Sequence, residues 1–113
     1  MRVIHILAGL TGAEAFIALA YATHVAGGDP GPMTMGALAQ LSAACAGLAL
    51  AHRSGRFTLI AAAVLLLGAN IFAGVIQMST LVGDHPFRIL APVGGSLLIL
   101  GWILAAFTKP NAT

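Results

Sequence analysis

The sequence has 113 residues, of which 59% are hydrophobic and 7% are charged, whereas an average soluble domain has about 25% charged residues. This composition excludes an ordinary soluble fold. The five basic and three acidic residues are too few and too scattered to form a nucleic-acid surface. The single cysteine, Cys45, lies inside an apolar run, which excludes an intramolecular disulfide and a cysteine-based metal cluster.

Charged residues divide the chain into four apolar stretches. Residues 3–28 contain one charge, Glu14, and the stretches 30–52, 57–83 and 89–108 contain none. Each stretch is long enough to span a bilayer, which takes about 20 apolar residues. We therefore predict four transmembrane helices near residues 4–25, 34–52, 57–81 and 88–107.

Short loops connect these predicted helices, so consecutive helices should run antiparallel to one another. The sequence thus predicts an all-α protein that forms one transmembrane domain over residues 1–113, an integral membrane antiparallel four-helix bundle. Four basic residues collect at one end of this bundle and only Arg88 lies at the other. By the positive-inside rule, both termini are expected to be cytoplasmic. The four residues at the cytoplasmic end are Arg2, Arg53, Arg56 and Lys109.

The first stretch has an alternative interpretation as a cleaved signal peptide. Arg2 would form its basic start, and Ala20–Tyr21–Ala22 has the small residues of a cleavage site. However, Glu14 would interrupt the apolar centre of such a signal. We therefore expect this stretch to be a retained membrane helix.

Glu14 lies near the middle of the first predicted helix, about 15 Å along its axis from Ile4. A carboxyl group at the bilayer centre costs roughly 2.5–3.5 kcal/mol, so we expect Glu14 to face protein and to be hydrogen-bonded. Other polar residues share its helical face or its depth in the membrane. The predicted intramembrane polar cluster comprises Glu14, Thr11, Tyr21, Gln40, Ser42, Asn70, Gln77 and Ser96.

Three interpretations of this cluster are open. Its members can fix the register of the bundle through hydrogen bonds between helices, which contribute about 0.6 kcal/mol each on average. Alternatively, Glu14 can bind a proton or a cation in a small transporter or channel, or it can face a partner subunit. We favour the structural interpretation, because no second acid and no basic residue is predicted at the same depth.

Four histidines lie at predicted helix ends, His5 and His52 at one end and His24 and His85 at the other. Facing imidazoles can hold a metal ion or a haem, but interfacial histidines are more often polar anchors. We therefore expect neither a metal nor a cofactor, and bound lipid remains open. The sequence shows no nucleophile beside a base and no phosphate-binding loop, so we expect no enzymatic activity.

Glycine is frequent, with 14 residues in 113 against an average of about 7%. Glycines allow membrane helices to approach each other closely. The predicted positions of helix packing are Gly12, Gly74, Gly94, Gly95 and Gly101.

Several segments resemble those of a known family. Leu90–Gly95 followed by Gly101–Trp102 is similar to the terminal Pro-x-Gly-Gly…Gly-Trp signature of the small four-helix membrane family typified by bacterial YgdD. This family is the domain of unknown function 423, and its eukaryotic relatives include transmembrane protein 256. Gly68–Gly74 resembles the family's third-helix motif, and Ala22–His24 resembles its Gly-Ala-His. Ala73, Val75 and Gln77 stand where the family usually has Ser, Ser and Tyr.

This resemblance implies a divergent member with a four-helix fold in the bacterial cytoplasmic (inner) membrane, and it implies no reaction. Two functions remain. We favour a structural or accessory subunit of a larger membrane protein complex, because the chain has little mass outside the membrane and glycine-rich faces suited to docking. The alternative is a small proton, ion or solute transporter or channel that uses Glu14; a chaperone or lipid-binding role is also open. Expected partners are membrane lipids and other membrane subunits or a second copy, but no nucleic acid.

Overall fold

The computed structural model describes residues 1–24, 30–83 and 86–109, with only the backbone described at Phe87. Four α-helices follow one another in these residues, and no strand occurs among them: α1 (Arg2–His24), α2 (Gly31–Leu50), α3 (Arg56–Val82) and α4 (Ala91–Ala106). The predicted all-helical chain with four helices is therefore confirmed. The predicted end of the first helix at residue 25 and parts of two predicted loops, 27–29 and 84–85, lie outside the described residues.

Glycine and proline set the helix boundaries. Gly55 precedes α3 with a φ of 113°, and Gly83 follows it with a φ of 75°, a region of backbone conformation that residues with a Cβ rarely adopt. The last helix was expected near residue 88, but Pro86–Leu90 form a 3₁₀ turn and α4 begins at Ala91. This start places Pro92 in the first turn, where its missing N–H breaks no helical hydrogen bond.

Helix α3 is the central element of the fold. It packs along both α2 and α4, whereas α1 packs along α2 and touches α3 only lightly. Within the described residues, the α4 backbone approaches only α3 and the 3₁₀ turn. The resulting cross-section, 26 × 19 Å, is flattened. The four helices therefore do not close into a square bundle with α4 beside α1.

The interior is built from small side chains and the exterior from large apolar ones. Residues with no exposed surface include Ala8, Ala37, Ala61 and Ala69, whereas Phe16, Ile17 and other large side chains are exposed. Small interior residues and apolar exteriors are typical of membrane helices, since lipid replaces water as the solvent of the outer surface. By length and composition, four segments can cross a bilayer: Arg2–His24, Gly31–Leu50, Arg56–Val82 and Arg88–Ala106. These spans suggest a multi-pass membrane protein.

The contact between α3 and α4 depends on three glycines. A Cβ atom added to Gly94 would lie 2.5 Å from the backbone nitrogen of Phe72, and one added to Gly68 would lie 2.7 Å from that of Leu98. A Cβ on Gly101 would lie 2.8 Å from Cγ of Leu65. The two helix backbones therefore touch directly at Gly68 and Gly94, and the Leu65 side chain of α3 packs against the α4 backbone at Gly101. Gly68 was not among the predicted packing positions.

The other predicted packing glycines lie outside this contact. An added Cβ on Gly12 would reach Ala44 on α2 at 3.5 Å, which is an ordinary contact distance. At Gly74 and Gly95, an added Cβ would meet no atom within 4 Å. These two glycines do not pack within the described part of the chain.

We predict that Gly94→Ala destabilises the protein, whereas Gly95→Ala does not. The added methyl at residue 94 meets the α3 backbone, and overpacking of this kind costs typically about 1–3 kcal/mol. The neighbouring substitution adds the same methyl to open space. The measurement is the midpoint of thermal unfolding in mild detergent, followed by circular dichroism. Equal midpoints for the two variants would contradict the close contact between Gly94 and the α3 backbone.

Candidate functional site

Five polar side chains from three helices meet near mid-length of the molecule. Thr11 and Glu14 come from α1, Gln40 from α2, and Asn70 and Gln77 from α3. Each of these residues lies near the middle of its helix or within about two turns of it. We call these five side chains the polar network.

Gln40 is the centre of the polar network. Its side chain is 1% exposed, and its amide contacts both neighbouring helices. Nε2 donates to Glu14 Oε1 at 3.3 Å and to Asn70 Oδ1 at 3.2 Å. Oε1 accepts a hydrogen bond from Gln77 Nε2 at 3.3 Å. A single residue of α2 thus links α1 to α3.

The remaining hydrogen bonds connect α1 with α3 directly. Gln77 Nε2 donates to Glu14 Oε2 at 3.2 Å, so each carboxyl oxygen of Glu14 accepts one hydrogen bond. Asn70 Nδ2 donates to Thr11 Oγ1 at 3.0 Å and to the backbone oxygen of Leu66 at 2.9 Å. These bonds provide partners for polar groups near the middle of helices that are long and apolar enough to span a membrane.

The polar network lies along a groove between α1 and α3, and α2 forms part of its floor. We call this the α1–α3 groove. Its half toward the end of α1 holds about 310 Å³ and is lined by Glu14, Ile17, Ala18, Tyr21, Met33, Gln77 and Leu81. The other half holds about 370 Å³ and is lined by Ile4, Leu7, Ala63, Leu66, Leu67 and Asn70.

The α1–α3 groove is open at the polar network. Asn70 is exposed, and Glu14 and Gln77 are half-buried. Gly74 lies between Asn70 and Gln77 on the same face of α3, where an added Cβ would meet no atom. The light contact between α1 and α3 therefore leaves polar groups at mid-length of the helices on an accessible surface.

Three other residues predicted for the polar cluster do not join the network. Tyr21 lines the groove, but it is seven residues from Glu14, roughly 10 Å along the helix. Ser42 is exposed, and its hydroxyl donates to the backbone oxygen of Ala39 at 2.9 Å. Ser96 is exposed on α4, which packs away from the groove. Depth along a helix brought these serines into the prediction, but their direction around the helix axis keeps them apart from the network.

Two of the described histidines, His5 and His52, form a close pair. The rings of His5 and His52 are 5.6 Å apart between centroids and nearly perpendicular, at 80°. Both are exposed at one end of the molecule, whereas His24 is exposed at the other. His85 lies outside the described residues. Among the described residues, no three His, Cys, Asp or Glu side chains are grouped so as to hold a metal ion.

We predict that Gln40→Leu destabilises the protein more than Ser42→Ala does. Leucine removes three hydrogen bonds between helices, which at roughly 0.6 kcal/mol each amounts to about 2 kcal/mol. The serine variant removes only a bond within its own helix. The free energy of unfolding in mixed micelles, titrated with a denaturing detergent, measures the difference. A Gln40→Leu variant as stable as Ser42→Ala would show that the polar network does not hold the helices together.

Comparison with known proteins gives no further assignment. No protein-family model matches the chain, and no solved structure is similar to it. The resemblance to the YgdD family therefore stays a prediction from the residues that carry it.

Proposed function

We propose that this protein is a non-enzymatic structural or accessory subunit of a larger membrane protein complex in the bacterial inner membrane. In this proposal, a helix of a partner subunit docks in the α1–α3 groove. The observation that carries this proposal is the opening of the polar network at the surface of the protein. Asn70 is exposed and Glu14 half-buried at mid-length of membrane-spanning helices.

Contact between lipid and such a polar surface is unfavourable. Hydrocarbon offers no hydrogen bonds, and an amide or carboxyl that faces it is costly unless protein encloses it. The described residues do not enclose these groups, since α4 packs on α3 away from the groove. A further helix laid along the groove would remove Asn70 and Glu14 from lipid.

The shape of the groove also suits a helix. Both halves are lined mainly by apolar side chains, and Gly74 leaves space between them. Small residues at such positions let helix backbones approach closely within membranes. The combination of apolar walls, a central gap and polar groups at one depth is typical of an interface between transmembrane helices.

We also propose that both termini face the cytoplasm. Arg2 at the start of α1, Arg53 after α2, Arg56 at the start of α3 and Lys109 after α4 lie at one end of the antiparallel helices. An excess of Lys and Arg marks the cytoplasmic side of membrane proteins. Arg53 Nη1 donates to Thr108 Oγ1 at 3.1 Å, which joins the end of α2 to the end of α4 at this surface.

A second candidate function is a proton, ion or solute pathway through Glu14. The half-buried Glu14 carboxyl lines the half of the α1–α3 groove that holds about 310 Å³, which favours access from the membrane. Intramembrane acids often mark such pathways. No second acid and no basic side chain lies at the same depth in the described residues, so the structural role is better supported.

We predict that a photo-reactive group at residue 74 captures a different membrane protein in native membranes. Gly74→Cys and Gly95→Cys would each be introduced with Cys45→Ala, because Cys45 is exposed and would also react. Both glycines face open space, but only Gly74 lies in the groove. After labelling with a benzophenone thiol reagent and irradiation, mass spectrometry should identify a heteromeric adduct for residue 74 and none of equal yield for residue 95.

Capture of a second copy of this chain at residue 74 would overturn the accessory-subunit proposal, as would equal labelling of lipid from both positions. Proton or ion flux in reconstituted vesicles tests the second candidate, which requires flux in the native protein and its loss in Glu14→Gln. Absence of flux in the native protein would end the transport interpretation.

The proposed orientation predicts that an impermeant maleimide labels neither terminus from outside intact cells. Single cysteines placed at the first and last residues, again with Cys45→Ala, should react only after the membrane is permeabilised. Labelling of both termini in intact cells would reverse the orientation, and labelling of one alone would contradict an even number of spans.

A further inference from the structure

In the polar network, every side-chain amide N–H donates a hydrogen bond, but some acceptor atoms receive fewer hydrogen bonds than they can accept. The side-chain amides of Gln40, Asn70 and Gln77 carry two N–H groups each, and all of these have acceptors within the protein. Gln40 donates to Glu14 and Asn70, and Gln77 donates to Glu14 and Gln40. Asn70 donates to Thr11 and to the backbone of Leu66. The amides therefore have no N–H left to offer to the groove.

The side-chain oxygens of Glu14 and Gln77, by contrast, can accept further hydrogen bonds. Each carboxyl oxygen of Glu14 has two lone pairs and receives only one hydrogen bond, Oε1 from Gln40 and Oε2 from Gln77. Oε1 of Gln77 receives no hydrogen bond from the described part of the chain. The reverse orientation of the Gln77 amide would set its oxygen against the oxygens of Glu14 and Gln40, so this spare acceptor follows from the network itself.

The two nearby hydroxyls do not change this balance. Thr11 is buried, so its hydroxyl hydrogen is not presented to the groove. Tyr21 lines the groove, but roughly 10 Å further along α1 than Glu14. At the depth of Glu14, the surface of the groove thus consists of acceptors and apolar groups.

We propose that the helix docked in the α1–α3 groove presents a lysine or arginine side chain to Glu14 and Gln77. This inference rests on the proposed function and states the chemistry of the partner. Lys and Arg carry several donors and no acceptor, which complements a surface with acceptors to spare. Their positive charge complements Glu14, the only acidic residue among those described. Their long apolar stems fit the apolar walls of the groove.

A second copy of this chain cannot supply that side chain. Every basic residue lies at or beyond a helix end, whereas Glu14 is twelve residues from Arg2, roughly 18 Å along α1. The basic residues concerned are Arg2, Arg53, Arg56, Arg88 and Lys109. None of them reaches the mid-membrane depth of the network in a copy that spans the same bilayer. The partner is therefore a different protein.

The test uses the full chain as bait in a bacterial membrane two-hybrid selection. The probes are synthetic transmembrane helices rich in leucine and alanine, each about 20 residues long, with one fully randomised position. This position is moved through all depths of the central part of the probe. The frequency of each amino acid before and after selection gives its enrichment.

We predict that lysine and arginine are enriched over leucine at one central depth, by about tenfold, and that aspartate and glutamate are depleted there. With Glu14→Gln as bait, the enrichment of the basic residues should disappear. Because this substitution also alters the network, Gly74→Leu serves as a second variant. It leaves every network side chain in place and fills the open space in the groove, so it should abolish selection at that depth as well.

Equal enrichment of acidic and basic residues would overturn the proposal. So would selection of leucine alone, or enrichment of basic residues that persists with Glu14→Gln. Failure of the proposed function can be distinguished from failure of this inference, because the proposed function is tested separately, by cross-linking from residue 74 in native membranes. A heteromeric adduct without any preference for basic residues would leave the accessory subunit standing and remove this inference. Preference for basic residues without a native adduct would remove the accessory subunit and, with it, the inferred partner helix.

Discussion

The rest of the structure depends on the burial of one amide, that of Gln40, which is 1% exposed. Its N–H and C=O groups are out of reach of solvent and need hydrogen-bond partners, so neighbouring helices must provide them. Glu14 of α1 and Asn70 and Gln77 of α3 do so. Since these residues must meet Gln40 at one level, the axial positions of both helices against α2 are determined. Apolar packing alone would tolerate sliding by a turn.

A different constraint joins α4 to the other helices. Gly68, Gly94 and Gly101 remove side chains from the line where α3 and α4 cross, and the backbones come into direct contact. This contact is specific in shape and contains no hydrogen-bonded side chain of the network. The protein thus combines two kinds of helix association: polar complementarity on one side of α3 and close apolar packing on the other.

Much of this could be predicted from the sequence, and the failures have physical causes. The four helices follow from uninterrupted apolar length, and the common depth of Glu14, Asn70 and Gln77 follows from the rise per residue. The position of a residue along its helix does not give the direction of its side chain around the helix axis. Ser42 and Ser96 were therefore grouped with residues that they do not contact. Gly68 was not predicted, because the sequence alone does not distinguish a glycine that touches a neighbouring backbone from one that faces open space, such as Gly74.

The separation of these two associations has a consequence for biogenesis. Helices emerge from the ribosome in chain order, and all members of the polar network lie between Thr11 and Gln77. The hydrogen bonds of the network therefore need no residue of α4. Helix α4 can dock on α3 with no polar group of the network to satisfy. Docking of α4 thus depends on the shape of the α3 surface and on the Arg53–Thr108 hydrogen bond at the helix ends, and it can follow the formation of the polar network as a separate step.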